Sequence, residues 1–160
     1  MKANKLPKMN EMEIAQLIKK RSLCRIAFRG DQYPYVAPFQ YVVIKGILYF
    51  HFTDYGKKID FLNNDNPVCV EIETYSLDLS KFAFVTLQGK LKIVDNSSEK
   101  NTALKKFVAE GKKNFSEKFL QAHGLSLGSK WEDLTDTPST IVKLDKVFKK
   151  TGLKSDNYGN

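Results

Sequence analysis

The stretch Tyr33–Asn63, YPYVAPFQYVVIKGILYFHFTDYGKKIDFLN, decides the fold. Two runs of β-branched and aromatic residues, 33–43 and 47–52, flank the dipeptide Lys45-Gly46. Such runs on either side of a turn dipeptide predict a β-hairpin. A short polar loop then leads to Gly56-Lys57-Lys58, which we expect to open a helix. The second run lacks alternation, so we expect both of its faces to be covered by core, ligand or another subunit.

The rest of the chain predicts the other elements of a mixed fold. Asn10 and Glu13 have the spacing of a capping box, and the apolar residues after them predict a helix that ends near Lys20. The polar run Asn63–Pro67 predicts a turn, and the tail from Lys149 is predicted to fray. Further strands are predicted at residues 23–28, 68–72, 81–94 and 140–148, with a bulge at Gly89. Further helices are predicted at residues 57–63, 97–110 and 115–120, and Gly111 is expected to end the second of them.

Hairpin links between the early strands favour a largely antiparallel sheet, and we therefore expect an α+β barrel. The chain lacks a Gly-x-Gly-x-x-Gly motif after a strand, which argues against a Rossmann dinucleotide fold. Its 160 residues and 42% apolar content predict one domain over residues 1–160. Neither a membrane-spanning run nor a signal peptide is recognisable, so we expect a cytoplasmic protein. Cys24 and Cys69 lie in apolar runs and are expected to be reduced, buried thiols.

The formal net charge of +8 raises the question of a nucleic-acid partner. Of the 26 basic residues, only Arg21, Arg25 and Arg29 are arginine, the residue that dominates base recognition. The lysines are spread along the chain. We therefore expect a solvated basic surface or one that attracts phosphorylated small molecules, and neither a nucleic acid nor a membrane as partner.

The first candidate site is a phosphate-binding loop. Thr53 can donate a hydroxyl hydrogen bond, Gly56 lets the backbone come close to a ligand, and Lys57 and Lys58 add positive charge where a helix begins. The alternative is an exposed basic cap without a ligand. The order of strand, threonine, glycine, two lysines and helix favours the phosphate site.

The second candidate site is the strand that carries Pro34 and Pro38. Because proline has no amide hydrogen, this strand cannot complete a hydrogen-bonded ladder on one side. It is either an ordinary edge strand or the place where a flat heteroaromatic ring bonds to the backbone. In the second case the ring would lie near Phe39, Gln40 and Tyr41.

His51 is the candidate catalytic residue. It lies two residues before Thr53, so both side chains should project from the same face of the strand. The alternative is a structural histidine. We expect His123 to lie on the surface. The sequence shows neither a Ser/His/Asp set, nor a metal-ligand cluster, nor a pair of acidic residues for acid–base chemistry, so any catalysis would depend on a cofactor.

Four segments together resemble a known family: Tyr33–Tyr41 (YPYVAPFQY), Leu48–His51 (LYFH), Gly56–Lys58 (GKK) and Asn66–Cys69 (NPVC). They are similar to the flavin-binding split-barrel proteins related to pyridoxamine 5′-phosphate oxidase, and to their nitroimidazole-resistance branch. The resemblance implies a mainly-β α+β fold, a six-stranded antiparallel Greek-key split β-barrel with flanking helices. It also implies a homodimer with FMN at the interface, with FAD as an alternative.

The resemblance assigns roles to particular residues. His51 matches the position linked to activity in the nitroimidazole-resistance branch. Ring contacts are implied for Pro38, Phe39, Gln40 and Tyr41. Contacts to the ribityl phosphate end are implied for His51, Phe52, Thr53, Lys57 and Lys58. The partner subunit is implied to supply Phe84, Val85 and Trp131.

The leading functional hypothesis is an FMN-dependent oxidoreductase, a flavin reductase or a nitroreductase-like protein, that uses a small-molecule electron donor. A true pyridoxamine phosphate oxidase is not expected, because the late part of the chain has no arginine and histidine set for the substrate phosphate. The alternatives are a non-catalytic protein that binds or stores flavin, and a split barrel that uses haem or the deazaflavin F420.

Overall fold

The hairpin that turns at Lys45-Gly46 supplies two neighbouring strands of a six-stranded barrel. The computed structural model describes residues 5–63 and 67–159. Both turn residues have positive φ, 51° at Lys45 and 80° at Gly46. A two-residue turn of that conformation matches the right-handed twist of the two strands that it joins.

Six strands, three α-helices and two 3-10 helices are formed by the described residues. The strands are β1 (Leu23–Phe28), β2 (Tyr35–Ile44), β3 (Ile47–Phe52), β4 (Pro67–Tyr75), β5 (Phe82–Ile93) and β6 (Thr140–Lys154). The α-helices are α1 (Glu11–Lys20), α2 (Lys57–Asn63) and α3 (Ser97–Asn114), and the 3-10 helices are Glu117–His123 and Trp131–Thr135. Asn64, Asp65 and Asn66, where the sequence predicts a turn, lie outside the described residues.

The sheet closes on itself in the order β1-β2-β3-β6-β5-β4, and every neighbouring pair is antiparallel. This confirms the predicted fold class, a mainly-β barrel with helices on its outside. Asn10 and Glu13 form the expected capping box at the start of α1. The bulge expected at Gly89 is also present, because the β5–β6 register shifts between Gln88 and Gly89.

The seam between β2 and β3 is only partly hydrogen-bonded. Residues Tyr35–Gln40 pair with β1, but the pairing with β3 begins at Tyr41. The Tyr41 amide donates to the Ser22 carbonyl at 3.0 Å, and successive residues of a strand point to alternate sides. The nitrogen of Pro38 therefore faces away from β1, toward an edge that has no strand partner in the described chain. A proline there costs no ladder hydrogen bond.

Two apolar layers lie on the two sides of β3. Phe50 and Phe52 point into the barrel, while Tyr49 and Ile141 belong to a second core between the sheet and the helices outside it. The second core also contains Phe107 of α3. Both faces of β3 are therefore covered within one chain, which accounts for the apolar run without a second subunit.

The C-terminal part of the chain differs from the prediction. The tail was expected to fray from Lys149, but β6 continues to Lys154 and pairs with β5 as far as Ala83. Ser155 is buried, and its backbone N–H donates to the Phe82 carbonyl at 2.9 Å. The sequence does not indicate this part of the strand, because its side chains are rich in lysine. The strand is held in place by backbone hydrogen bonds, which do not depend on the side chains.

Helix α3 is also longer than predicted. Gly111 was expected to stop it, but the helix continues to Asn114 and Gly111 is buried inside it. A Cβ atom at this position would overlap the indole ring of Trp131. The glycine is therefore a packing requirement of the helix and does not terminate it.

Cys24 and Cys69 are both free thiols, with Cys24 buried and Cys69 half-buried. Within residues 5–63 and 67–159, no group of histidine, cysteine and acidic side chains is placed to hold a metal ion. The helices in these same ranges are all too short or too polar to cross a membrane.

Candidate functional site

The loop after β3 carries the residues predicted to bind phosphate. Thr53 is buried, and its hydroxyl lies 3.4 Å from the Tyr55 carbonyl. Gly56 has a φ of 91°, a conformation that favours glycine. Thr140 of β6 fixes the loop by donating to the Asp54 carboxylate at 2.9 Å. Since α2 is only seven residues long, its dipole is small, and the lysine charges must supply most of the attraction for an anion.

The two adjacent lysines have different surroundings. Lys57 is exposed to solvent, whereas Lys58 is half-buried at the end of the barrel. The Lys58 ammonium nitrogen lies 5.4 Å from the centre of the Phe39 ring and 5.9 Å from that of Phe52. Burial lowers the pKa of Lys58. An anion beside Lys58 would compensate for the lost hydration of the ammonium group.

The predicted ring-binding residues divide between the two faces of β2. Phe39 and Tyr41 point into the barrel, where Phe39 stacks on Phe52 at 4.8 Å and the Tyr41 hydroxyl donates to the Ile18 carbonyl. Their backbone groups face β1, as the Tyr41 amide shows, so the backbone of the alternate residues Pro38 and Gln40 is what a ligand at the open edge could meet. Gln40 points to the outer face.

Gln40, His51 and His123 form a buried polar cluster on this outer face. The Nδ1 atoms of the two histidines are 3.1 Å apart, and His123 Nε2 lies 2.8 Å from Gln40 Oε1. Only 3% of Gln40, 5% of His51 and 5% of His123 is exposed. The expectation that His123 lies on the surface is therefore wrong. Its spacing of three from the buried Leu120 in a short helix was the available signal, but nothing in the sequence links it to His51.

The two histidines are held in their neutral form. Burial is the main cause that lowers the pKa of His51 to about 3, and His123 and the ammonium group of Lys58 add to the effect. Burial and Lys58 lower the pKa of His123 to about 4. Lys100 of α3, whose ammonium donates to the Ser139 carbonyl at 2.8 Å, also lowers the pKa of His51.

Two polar atoms of this cluster have no hydrogen-bond partner in the part of the chain that the structure describes. They are Gln40 Nε2 and His51 Nε2, and both are buried. A buried polar group without a partner costs about 1–3 kcal/mol. Two such groups on neighbouring strands are typical of a site whose ligand or water completes the bonding.

Aromatic side chains enclose the cluster. The His51 ring is 6.2 Å from that of Phe107, and the His123 ring is 5.6 Å from Phe119 and 5.8 Å from Trp131. Trp131 is buried against α3, with 2% of it exposed. It contacts the histidine cluster of its own chain, and a ligand would reach it only if this outer layer opened.

Phe84 and Val85 lie on opposite faces of β5. Val85 is fully buried inside the barrel, whereas Phe84 is half-buried on the outer face and stacks on Phe82 with ring centres 5.2 Å apart. Of the two, only Phe84 has a side chain that could meet a second molecule.

A groove of about 560 Å³ lies over β1 and β4, on the side of β2 that is paired with β1. It is lined by Pro38 and by the ion-paired Arg25, Glu71 and Glu73. Pro38 shares the outer face of β2 with Gln40. The groove and the buried cluster are therefore neighbours along one strand.

Comparison with known proteins identifies the family. A family model described as pyridoxamine 5′-phosphate oxidase matches residues 10–123, which include β1–β5, α2 and both histidines. The chain belongs to the pyridoxamine 5′-phosphate oxidase family. Among proteins with curated annotation, none matches the sequence significantly.

Solved structures of this family's fold are similar to the chain over nearly its whole length. A FAD-binding protein from Mesorhizobium loti has a TM-score of 0.70 and 17% identity, covering 94% of this chain and 99% of that one. A candidate 5-nitroimidazole antibiotic resistance protein from Bacteroides thetaiotaomicron has a TM-score of 0.61 and 17% identity, covering 98% of both chains. A FAD- and haem-binding protein from Mycobacterium smegmatis has a TM-score of 0.64 and 12% identity, covering 94% of this chain and 74% of that one. At these identities the likeness concerns the fold.

Proposed function

We propose that this protein binds FMN along the open edge of β2 and acts as an oxidoreductase of the flavin reductase or nitroreductase type. The observation that carries the proposal is the edge of Tyr35–Gln40, which lacks a strand partner in the described chain and lies beside Lys58. A strand edge offers backbone donors and acceptors in one plane, as the edge of a flat heterocycle requires.

The residues present fit such a ligand. The two unpartnered atoms, Gln40 Nε2 and His51 Nε2, are buried on the outer face of the sheet and would offer polar contacts to the ring when the side chains that cover them move aside. Thr53, Lys57 and Lys58 would hold the phosphate, and the backbone of Pro38 and Gln40, which faces the open edge of β2, would border the ring. Phe52 would contribute only its backbone, because its side chain is inside the barrel.

The redox chemistry would come from the bound flavin, which exchanges electrons with a small donor, such as a reduced nicotinamide, and with an acceptor. The protein would orient the ring, keep water from one face and set the hydrogen bonds around it. FAD is the alternative flavin, and relatives of the same fold described as FAD-binding support flavin binding in general. Among the partners, we expect neither nucleic acid nor membrane.

We further propose that the site is completed by a second copy of the chain. The support is the family resemblance and the outward position of Phe84, a predicted partner contact. The doubly apolar β3 no longer supports a dimer, because both of its faces are covered within one chain. Val85 is enclosed in the barrel, on the opposite face of β5, and would not itself contact the second copy.

Titration of the protein with FMN, followed by flavin fluorescence, tests the phosphate site. The double variant Lys57→Ala/Lys58→Ala should raise the Kd roughly a hundredfold, because two charge-assisted hydrogen bonds together contribute about 3 kcal/mol. The control Lys105→Ala/Lys118→Ala removes the same charge from exposed positions elsewhere and should leave the Kd within about twofold. An unchanged Kd in the first variant contradicts the assignment.

Steady-state turnover then separates an enzyme from a carrier. The protein with FMN should oxidise a reduced nicotinamide faster than free FMN does, with a flavin or a nitroaromatic as acceptor. Rates equal to those of free FMN would indicate a protein that only binds or stores flavin. A Soret band in the purified protein would indicate that it uses haem in place of FMN, and selective uptake of F420 would indicate that it uses the deazaflavin.

A further inference from the structure

His123 has no role in the proposed flavin site, although it contacts two of that site's residues. It connects Gln40 on β2 to His51 on β3 through contacts of 2.8 Å and 3.1 Å. Aromatic rings surround it, so water is excluded from the chain of three side chains.

The chemistry of the three groups determines where the protons are. Gln40 Oε1 is a carbonyl oxygen and can only accept, so His123 Nε2 carries a proton and donates it. A neutral imidazole has a single N–H, which leaves His123 Nδ1 as an acceptor. The short contact between the two Nδ1 atoms then requires the proton to be on His51 Nδ1. His51 Nε2 is left with a free lone pair.

We infer that His123 is a positioning residue which, with Gln40, fixes the tautomer of His51 so that its Nε2 atom accepts a hydrogen bond from the bound ligand. In many catalytic histidines, a partner that is hydrogen-bonded to one ring nitrogen fixes the protonation of the other. His123 would act on His51 in the same way, through the ring nitrogen that faces away from the ligand. The part that concerns the ligand rests on the proposed flavin site; the tautomer does not.

The state of the cluster supports this inference. Both histidines are neutral near pH 7, because burial lowers their pKa values and the charges of Lys58 on α2 and Lys100 on α3 act in the same direction on His51. A purely structural cluster would bond all of its buried atoms, yet His51 Nε2 and Gln40 Nε2 lack partners among the described residues. The free atoms are an acceptor and a donor, which suit a ligand that presents an N–H or O–H group near a carbonyl oxygen.

Nitrogen NMR of the histidine-labelled protein, recorded near pH 7.5 without flavin, tests the tautomer. The chain has only two histidines, and the variant His123→Gln assigns their signals. We expect His51 to carry its proton on Nδ1 and His123 on Nε2. The reverse pattern, with the proton on His51 Nε2 and on His123 Nδ1, is what the opposite orientation of the Gln40 amide would produce. If the wild-type protein shows it, the inference is overturned without the need for a variant.

Variants of Gln40 test whether this residue fixes the tautomer of His51. Gln40→Met removes the acceptor and should shift His51 to a mixture of tautomers, while Gln40→Glu keeps an acceptor and should preserve the wild-type pattern. The matched control Gln121→Met changes an exposed glutamine of the same 3-10 helix as His123 and should have no effect. A wild-type pattern in folded Gln40→Met would contradict the positioning role.

Addition of FMN separates the two proposals. If FMN binds, the His51 Nε2 signal should move more than either signal of His123, and an unmoved Nε2 signal overturns the ligand contact. If FMN does not bind while the expected tautomers are present, the proposed function fails and the tautomer assignment stands.

Discussion

At the scale of single residues, the buried histidine pair should make the fold sensitive to acid. Both histidines have pKa values below their ordinary value in the folded protein, so the unfolded chain takes up protons first as the pH falls. Their contribution to stability is therefore complete above about pH 6.5 and is lost as the pH falls toward 4. Between pH 8 and pH 5 the loss is about 2 kcal/mol for each histidine.

Urea denaturation at pH 8 and pH 5 measures this loss. The double variant His51→Gln/His123→Gln serves as the control, because it has no histidine to protonate and should show a much smaller change. Carboxylates with lowered pKa values, such as Glu13 and Glu99, lose their contribution only below this window. Equal free energies of unfolding at the two pH values in the wild-type protein would contradict the prediction.

The sequence indicates some residues of the site much better than others. His51 and Thr53 could be placed together because residues two apart on a strand share a face. Lys57 and Lys58 could not be distinguished, since their difference depends on how α2 sits on the end of the barrel. His123 was missed because its contact with His51 joins residues 72 positions apart and no local pattern encodes it.

At the scale of elements, the packing of α3 on the 3-10 helix that begins at Trp131 depends on one glycine. Ala is normally the better helix former, by about 1 kcal/mol. At Gly111, however, an added methyl group would overlap the Trp131 ring. We expect Gly111→Ala to destabilise the protein by about 1–3 kcal/mol in thermal or urea denaturation.

Ala109→Gly is the matched control for this prediction. Ala109 is exposed two residues earlier in the same helix, and its replacement should cost about 1 kcal/mol through propensity alone. Alanine should therefore give the more stable protein at position 109, and glycine should give the more stable protein at position 111. A stabilised Gly111→Ala protein would mean that Trp131 is not held against the helix.

The end of β6 provides a second test at this scale. Lys149–Lys154 pairs with β5 and with the N-terminal segment, where Met9 N–H donates to the Gly152 carbonyl at 2.9 Å. Removal of residues 149–160 should abolish cooperative unfolding, because it exposes the backbone of β5 and part of the barrel core. Removal of residues 159–160 alone, beyond Tyr158, which packs on the barrel core, should change the midpoint little. A cooperative, folded protein after the longer deletion would support the original expectation of a fraying tail.

These elements explain which parts of the fold could be predicted. The hairpin and α1 were predictable because a turn dipeptide and a capping box are local signals. The last part of β6 was not, since Lys149 and Lys150 are exposed and lead into a polar sequence that reads as a solvated tail. The continuation of α3 past Gly111 was missed for a related reason, because the signal is the distant Trp131.

At the scale of the whole molecule, we expect two copies of the chain to associate through a surface that includes Phe84. Sedimentation equilibrium should show a dimer, and Phe84→Ser should weaken it at least tenfold because the exchange removes apolar area from the interface. Met12→Ser, at an exposed position on α1, is the control and should leave the dimer unchanged. A monomer at every concentration tested would exclude the proposed interface.

The place of β6 in the barrel has a consequence for biosynthesis. The strand sits between β3 and β5, so the sheet cannot close before residues 140–154 have left the ribosome. Until then the nascent chain presents unpaired edges on β3 and β5, together with the apolar interior that β6 later covers. Pairings of such high sequence separation form slowly and leave time for aggregation. The newly made chain should therefore need a chaperone for longer than a helical protein of equal length.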